Sequence, residues 1–317
     1  MTATTTDTYD QVGIREDLSD SIWDVSPEEV PFSSNCARVS VDNTYFEWQT
    51  DSLAAVSASV AVEGADASFA PAAPTTRVGN YTEIITKTAI TSGTLEATDR
   101  AGRAREMAYQ IVKRAKEIKR DFEHHLVGLN NAQAAGNATT ARETASYSCW
   151  ANTNASTAGT AGTGDGTTAA VDGTQRAFTE TLLGAVIDSC YVNGGNPDII
   201  MAAPFNKRVL NTFNGTSRDG TGGGNVVMDA SDKKIINAVG IYESDYGVMK
   251  VVPNRFLRAR DVLVYEKSFW AIAELRGMQN KEIARTGDAE KRQVLMEAGL
   301  MAKNEASSGI ILDLTTS

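Results

Sequence analysis

The chain has 317 residues, 42% of them hydrophobic and 22% charged, with a formal net charge of −10 and a pI near 4.9. This length can bury a sizeable core in one large or two ordinary domains, and the acidic balance argues against a protein that holds nucleic acid by neutralising its phosphates. The three cysteines, Cys36, Cys149 and Cys190, are odd in number and widely spaced, so they predict buried free thiols rather than a disulfide framework.

Charge is unevenly distributed along the chain. Residues 1–86 hold 14 acidic residues and 3 arginines, with no lysine before Lys87, whereas 26 acidic and 27 basic residues follow. The acidic third and the nearly neutral remainder can therefore attract each other, within one chain or between chains.

The N-terminal region has the composition of an arm. Residues 1–12 are polar and Thr-rich, lack the basic and apolar regions of a secretory signal, and predict a poorly ordered start. A short helical apolar pattern follows, interrupted by Pro27 and Pro31, so we expect an extended arm with a turn or two of helix. Residues 37–48 alternate with β-branched and aromatic side chains and predict a strand.

A projecting loop is predicted next. The stretch from Gln49 to Asn80 contains about thirty residues with almost no large apolar side chain. A structureless loop of this length is unusual inside a compact domain, which favours a projecting loop or a two-stranded finger. Residues 81–96 predict a strand that leads into a long helix.

That helix is predicted from Gly102 to Ala134, with a length of roughly 45 Å. Its apolar residues recur every three or four positions, at Met107, Ile111, Ala115, Ile118, Phe122, Leu126 and Leu129. Thr98 or Asp99 is the predicted cap. Gly128 is the one interior glycine, near the end, and Asn130 and Asn131 lie where a stop is expected. The outer face is predicted to be basic, with seven Lys and Arg residues against the acids Glu106, Glu117, Asp121 and Glu123.

The remainder of the chain predicts shorter elements. Residues 152–173 are Gly-, Thr- and Ala-rich and predict a flexible surface excursion. An amphipathic helix follows Phe178, a strand covers Ile199 to Ala202, and Pro204 begins another helix. A glycine loop at 215–225 precedes several antiparallel strands. The class is α+β.

Chemistry-bearing motifs are scarce. His124 and His125 are adjacent on the helix and do not face each other, so they predict no shared metal site. The glycine run from Gly220 to Asn225 lacks the Lys-Ser/Thr of a phosphate-binding loop, and the segment from Gly164 lacks the alternating ligands of a calcium loop. The sequence therefore predicts no catalytic residue, no cofactor and no metal.

Several stretches, in order along the chain, carry a family resemblance. They are IREDLSDSIWDVSPEEVPF, YFEWQTDSLAA, the run from EGADASF to KRDFE, PDIIMAAPFNKRVLNTF and the region from Lys281 to Leu314. Together they span roughly residues 12–134 and 196–314, and they resemble the major capsid proteins of tailed bacteriophages. The resemblance implies the Hong Kong 97-like fold, in which an arm, an extended loop, a spine helix in a peripheral domain, and an axial domain tile an icosahedral shell.

On this resemblance the chain divides into six parts. They are the arm and first strand (1–46), the extended loop (47–79), the peripheral domain with the spine helix (80–150), the flexible excursion (151–174), the axial domain (175–265) and a return to the peripheral domain (266–317).

The resemblance also implies function and partners. The chain is expected to self-assemble as hexamers and pentamers into the head of a tailed phage that encloses double-stranded DNA, held by non-specific contact. A separate scaffolding protein and a portal are expected partners, with a decoration protein as a further option and no membrane partner. Assembly is expected in the host cytoplasm, and the protein is not expected to be an enzyme. The alternative is a polymerising protein of a phage tail, fibre or surface layer, although no internal repeat is visible.

Charge predicts where copies touch. We expect the acidic loop to dock on the basic spine helix of a neighbouring copy, with individual exposed pairs contributing only about 0 to 1 kcal/mol. The candidate contact residues are Glu47, Asp51, Glu63, Asp66 and Arg77 on the loop, and Lys113, Arg114, Lys116, Lys119 and Arg120 on the helix.

The absence of lysine before Lys87 generates a first prediction. A covalent cross-link in which a loop lysine joins a neighbour's asparagine requires an amine nucleophile, and the loop has none. Denaturing gels of mature particles are expected to show a single band near 33.8 kDa. Ladders that survive boiling and reductant would contradict this.

Overall fold

The computed structural model describes residues 26–67, 69, 71–72, 74–98, 105–213, 227–229, 234–236 and 240–316. The predicted arm at 1–25, the glycine loop at 215–225 and the predicted helix start at 102–104 lie outside the described residues. What is described is a mixture of helices and strands, as the α+β prediction requires.

The described elements are numbered in chain order. The helices are α1 (Pro31–Asn35), α2 (Gly93–Ala97), α3 (Glu106–Glu123), α4 (Tyr147–Trp150), α5 (Glu180–Val192) and α6 (Pro204–Leu210). The strands are β1 (Ala37–Ser40), β2 (Tyr45–Thr50), β3 (Thr76–Tyr81), β4 (Glu83–Ser92), β5 (Asn154–Ser156), β6 (Ile199–Ala202), β7 (Val227–Asp229), β8 (Lys234–Ile236), β9 (Ile241–Ser244), β10 (Gly247–Pro253), β11 (Val262–Tyr265), β12 (Trp270–Ile283), β13 (Ala289–Ala302) and β14 (Gly309–Ile311).

Two sheets organise the fold. The first has the order β1-β12-β13-β4, is built around the long β12–β13 hairpin, and carries α3 against β4 and β13. The second has the order β5-β14-β11-β6-β10-β9, with α5 packed on β14. Two ribbons, β2–β3 and β7–β8, complete the described strands. The buried apolar side chains form two clusters. One spans α3, the first sheet and part of the second sheet, and the other lies beneath α5.

The spine helix is shorter than predicted. α3 continues as one π-helical turn, His124–Gly128, and Leu129 is already extended. A Cβ atom at Gly128 would lie 2.3 Å from the carbonyl oxygen of Phe256, so the chain fits there only as glycine and then turns away. The predicted continuation to Ala134 is therefore wrong, and the helix spans about 35 Å.

The start of the spine helix also differs from the prediction. Thr98 ends the short helix α2 instead of capping α3. The carboxylate of Glu96 accepts the backbone N–H groups of Glu106 and Met107 at 3.2 and 3.3 Å. An acidic side chain from the preceding helix thus satisfies two of the unpaired donors at the helix N-terminus.

Residues 37–48 form two strands, not the single one predicted. β1 pairs in parallel with β12, whereas β2 pairs antiparallel with β3. Between them the side chain of Asn43 accepts the backbone N–H of Thr44 at 2.7 Å, a local turn that redirects the chain from the sheet into the ribbon.

The Gly/Thr-rich segment 151–174 is held to the domain at several points, although many of its residues are exposed. β5 lies parallel to β14 at the end of the second sheet. The carboxylate of Asp313 accepts the backbone N–H groups of Ala158, Gly159 and Gly173 at 3.0, 3.0 and 2.8 Å. The small residues of segment 151–174 permit this close approach of the backbone. The carboxylate of Asp313 accepts backbone N–H groups that would otherwise lack a hydrogen-bond partner.

Local predictions in the second half are confirmed. The strand runs from Ile199 to Ala202 and the next helix begins at Pro204. A strand, tight turn and strand cover β9 and β10. The three cysteines are buried and unpaired, and burial raises the pKa of the Cys190 thiol to about 12. Within the described residues, no helix is long and apolar enough to cross a bilayer.

The constriction at Gly128 generates a prediction. Replacing Gly128 with alanine is expected to lower the free energy of unfolding by about 1–3 kcal/mol, because the added methyl group meets a backbone carbonyl that cannot swing aside. Gly184 in α5 is the matched control, since a Cβ atom there meets nothing within 4 Å. Gly184→Ala should be neutral or stabilising. Urea unfolding of both variants in the same assembly state checks this, and equal effects would contradict it.

Candidate assembly interface

The extended loop stands on a rigid base. β2 and β3 pair from Tyr45 opposite Tyr81 to Thr50 opposite Thr76. Trp48 of this ribbon lies against Trp150, with ring centroids 5.4 Å apart. The base is therefore anchored in the main apolar core.

Asn80 fixes the base through buried hydrogen bonds. Its Nδ2 donates to the backbone oxygen of Leu300 at 2.7 Å and to Oγ1 of Thr144 at 2.9 Å, while its Oδ1 accepts the backbone N–H of Ala145 at 3.1 Å. A buried amide with its donors and acceptor engaged holds one orientation, because rotating it would leave several groups unpaired. Sequence reasoning missed this role, and no local pattern around Asn80 points to it.

The few large apolar side chains of the loop beyond the base are exposed. Residues 51–75 form no strand among those described, which fits the loop alternative; the two-stranded part is limited to the β2–β3 ribbon at the base. Its large apolar side chains are almost fully exposed, from 81% to 104% of their reference area, at Leu53, Val56, Val60, Val62 and Phe69. Burying such a side chain is worth about 1.5–3 kcal/mol, so a partner that covers these side chains would gain free energy from each of them.

Some charged residues of the loop already have partners in the same chain, and others do not. Glu47 and Arg77 pair with each other at 3.1 Å across the ribbon of the same chain. Asp51 accepts the backbone N–H of the next residue at 2.9 Å. Glu63 and Asp66 are exposed near the tip. Thus only part of the predicted acidic set remains available to a second copy.

The basic face of the spine helix exists as predicted, but part of it is already engaged. Nζ of Lys116 lies 2.5 Å from a carboxylate oxygen of Glu28 in the arm. Arg114 pairs with Glu117 one turn away at 2.6 Å. Lys113 and Lys119 are exposed and Arg120 is half-buried. Within the described residues no ion pair joins the loop acids to this face, so docking between copies stays a prediction.

Two acids assigned to the outer face are in fact buried. Glu106 and Glu123 are 5% and 0% exposed. Oε1 of Glu123 accepts the backbone N–H of Phe32 at 2.7 Å and Nδ2 of Asn254 at 2.8 Å, and Oε2 accepts the backbone N–H of Ser33 at 2.8 Å. Burial raises the pKa of Glu123, and these hydrogen bonds oppose the rise. The prediction for Glu123 is wrong because a partner distant in sequence supplies donors for it.

The arm is thereby clamped to the spine helix. Phe32 is fully buried, and its ring lies edge-on to Tyr147, Tyr265 and Trp270 at 5.8, 5.4 and 6.1 Å. An aromatic anchor and a buried carboxylate therefore hold α1 from two sides, which fixes where the arm meets the domain.

The histidines have structural partners. Nδ1 of His125 lies 3.2 Å from a carboxylate oxygen of the buried Glu83, and this hydrogen bond raises the pKa of His125. Nδ1 of His124 lies 3.4 Å from the backbone oxygen of Phe256. Among the described residues no group of three or more His, Cys, Asp or Glu could hold a metal ion.

Known proteins are similar to this chain in sequence. A family model described as SU10 major capsid protein matches residues 1–315. A protein of Escherichia phage Phieco32 named major capsid protein is 28% identical over 343 residues, covering 96% of this chain and 95% of that protein.

Solved structures share the fold. The capsid of a native GTA particle is similar with a TM-score of 0.62 at 11% identity, covering 97% of this chain and 98% of that one. A structure from Gordonia phage Cozz gives a TM-score of 0.60 at 12% identity, covering 96% and 92%. These similarities confirm the expected Hong Kong 97-like fold for the chain as a whole.

The clamp at Glu123 generates a prediction. Glu123→Gln replaces one accepting oxygen with an NH₂ group that faces backbone or amide donors, so one buried donor loses its partner. The free energy of unfolding is expected to fall by about 1–3 kcal/mol. Glu117→Gln, which removes a charge of the same sign from a half-buried site on the same helix, should cost less. Urea unfolding of both variants measures the difference, and an equal or reversed order would contradict the clamp.

Proposed function

The chain belongs to the SU10 major capsid protein family, and we propose that its extended loop is the element through which neighbouring copies hold each other in the shell. The protein is a major capsid protein of a tailed phage and a component of the virion. This family is structural and is not an enzyme class. The alternative of a tail, fibre or surface-layer protein finds no support in these matches.

The exposure of the few large apolar side chains of the loop is the observation that carries the proposal. Ordering some twenty-five loop residues costs on the order of 1–2 kcal/mol each. The described loop residues beyond the ribbon bury no large apolar side chain of their own that could offset this cost. A neighbouring copy can supply the missing contacts, and every copy in a closed shell gives and receives the same one.

Charge has a secondary role in this proposal. Glu63 and Asp66 near the loop tip would steer the loop toward basic residues of the neighbour, and salt would weaken that steering. The apolar residues Leu53, Val56 and Phe69 would supply most of the free energy once the loop is seated.

The finer assembly is part of the same proposal. Copies would form the hexamers and pentamers of an icosahedral head, built in the host cytoplasm with a separate scaffolding protein and a portal. Double-stranded DNA would be enclosed by confinement with weak, sequence-independent contacts, since the chain is acidic overall. A decoration protein is an additional candidate partner. A similar structure from phage G, with a TM-score of 0.50 at 10% identity, contains decoration proteins beside major capsid proteins.

A triple substitution tests the loop. Leu53→Ser, Val56→Ser and Phe69→Ser together are expected to reduce the yield of particles at least about tenfold, since three lost apolar contacts are worth several kcal/mol per copy. The melting temperature of the unassembled subunit should not change, because these side chains are exposed in a single chain. Electron microscopy and sedimentation measure the yield.

A control in the same loop separates apolar burial from loop perturbation. Ser52→Ala, Ser57→Ala and Ser59→Ala change three exposed residues without removing apolar area and should assemble normally. Normal particles from the apolar triple variant would contradict the proposal.

A further inference from the structure

A histidine and a buried carboxylate join the end of the spine helix to the base of the extended loop. His125 lies in the π-helical turn that ends the helix, and Glu83 is the first residue of β4, two positions after the ribbon ends at Tyr81. Nδ1 of His125 lies 3.2 Å from Oε2 of Glu83. The side chain of His125 is 37% exposed, whereas Glu83 is only 3% exposed. A histidine that can exchange its proton with solvent therefore contacts a carboxylate that is buried.

Glu83 has few other hydrogen-bond partners. Its Oε2 accepts the backbone N–H of Thr144 over a long N–O distance of 3.4 Å, and its Oε1 accepts no hydrogen bond from the described residues. Among those residues, His125 is also its only ion-pair partner. Because burying a carboxylate without partners costs free energy, the charge on His125 affects how firmly Glu83 is held in the domain.

The charges around His125 favour its protonated form. The hydrogen bond to Glu83 is the main cause that raises the pKa of His125, burial opposes the rise, and the carboxylates of Glu143 and Asp121 add to it. Asp121 belongs to α3 and Glu143 to the segment before α4. Acids from β4, from the helix and from this segment therefore all act on the imidazole.

The cations of β4 and of the segment before α4 are engaged with other carboxylates. Lys87 binds Asp121 at 2.6 Å, and Arg142 binds the buried Glu297 of β13 at 2.5 Å. His125 is therefore the group whose titration near neutral pH changes the charge at this contact.

The start of β4 is tied to both strands of the loop base. The backbone N–H of Thr82 donates to the backbone oxygen of Thr44, the residue before β2, at 2.8 Å. Tyr81, the last residue of β3, precedes Thr82 directly. A shift of Glu83 therefore reaches both strands of the ribbon.

We propose that His125 and Glu83 form a proton-operated latch between the spine helix and the loop base. When the imidazole is protonated, its charge holds the start of β4 against the end of the helix. When the proton leaves, the contact loses the attraction between opposite charges, and the loop base opens more often. The latch acts within one subunit and does not depend on the loop proposal.

The direction of the pH effect follows from the raised pKa of His125. The stabilisation from the charged imidazole is fully present below the ordinary pKa of histidine, about 6.5, and is lost as the pH rises through the raised pKa of the folded protein. The latch is thus closed in mildly acidic solution and loosens as the pH rises. Because solvent screens a part-exposed pair, the effect should be modest.

Histidine titration by NMR tests the contact. The chain holds two histidines, so labelling with ¹³Cε1-histidine gives two signals, and His124→Gln assigns them. The pKa of His125 is expected to fall in Glu83→Gln, because the charged partner is lost. An unchanged pKa in a folded Glu83→Gln variant would overturn the proposal. If that variant does not fold, substitutions at position 125 decide.

Two substitutions at position 125 test the latch without altering the buried carboxylate. His125→Lys supplies a charge that persists at pH 8, and His125→Gln supplies a neutral donor. Hydrogen exchange of peptides covering residues 80–90 in unassembled subunits, corrected for the intrinsic effect of pH, measures opening of the loop base. In the unmodified protein, protection should fall about two- to fivefold from pH 6 to pH 8, as expected for a part-exposed ion pair. The Lys variant should keep the higher protection at both pH values, and the Gln variant the lower one.

His124→Gln is the matched control. Nδ1 of His124 lies 3.4 Å from the backbone oxygen of Phe256, not from a carboxylate, so this variant should keep the pH dependence of the unmodified protein. Burial raises the pKa of Asp261 to about 7, but that group is present in every variant and contributes to all of them. Equal pH dependence in the unmodified protein and the His125→Gln variant would overturn the latch, as would its loss in the His124→Gln variant.

Discussion

The carboxylate of Glu123 joins three parts of the chain that are distant in sequence. It ends the regular part of the spine helix, accepts two backbone donors of the arm helix, and accepts the amide of Asn254 after β10. Burying a carboxylate without hydrogen-bond partners costs free energy. Moving any of these three donors away from Glu123 would therefore destabilise the fold. This contact sets the position of α1 against the spine helix. It also joins the end of the spine helix to the second sheet, through Asn254.

Buried side chains hold the ribbon base and α1 in the domain. Trp48 and Asn80 hold the ribbon base, and Phe32 holds α1. Beyond these anchors, the loop exposes apolar side chains that a single chain leaves in water. On the loop proposal, the free energy of covering those side chains is gained on assembly, where the same contact recurs at every position.

Local patterns predicted much of the fold. The apolar stripe of the spine helix appears with Ile118, Phe122 and Leu126 buried, because a 3.6-residue period allows only one face to meet the sheet. Proline at position 204 begins a helix, since its fixed φ suits the first turn and its missing donor is not needed there. The projecting loop followed from its shortage of large side chains, and the resemblance supplied the Hong Kong 97-like architecture that local periodicity alone does not specify.

The sequence by itself determined the elements whose cause is local: the helix stripe, the strand before Pro204, the projecting loop and the uneven charge. Only the tertiary structure decided where distant groups meet. Glu123 carries the same chemistry as its neighbours on the helix, and it is internal because Phe32 and Ser33 bring donors to it. The last residue of the spine helix, Gly128, has to be glycine because the carbonyl of Phe256 occupies the space that a side chain would need. The small residues at 151–174 predict a flexible excursion from their composition alone. In the structure Asp313, far along the chain, accepts hydrogen bonds from their backbone N–H groups and holds the segment in place. In each case burial and hydrogen bonding between residues far apart in the chain outweigh the local preference, and no window of neighbouring residues contains that information.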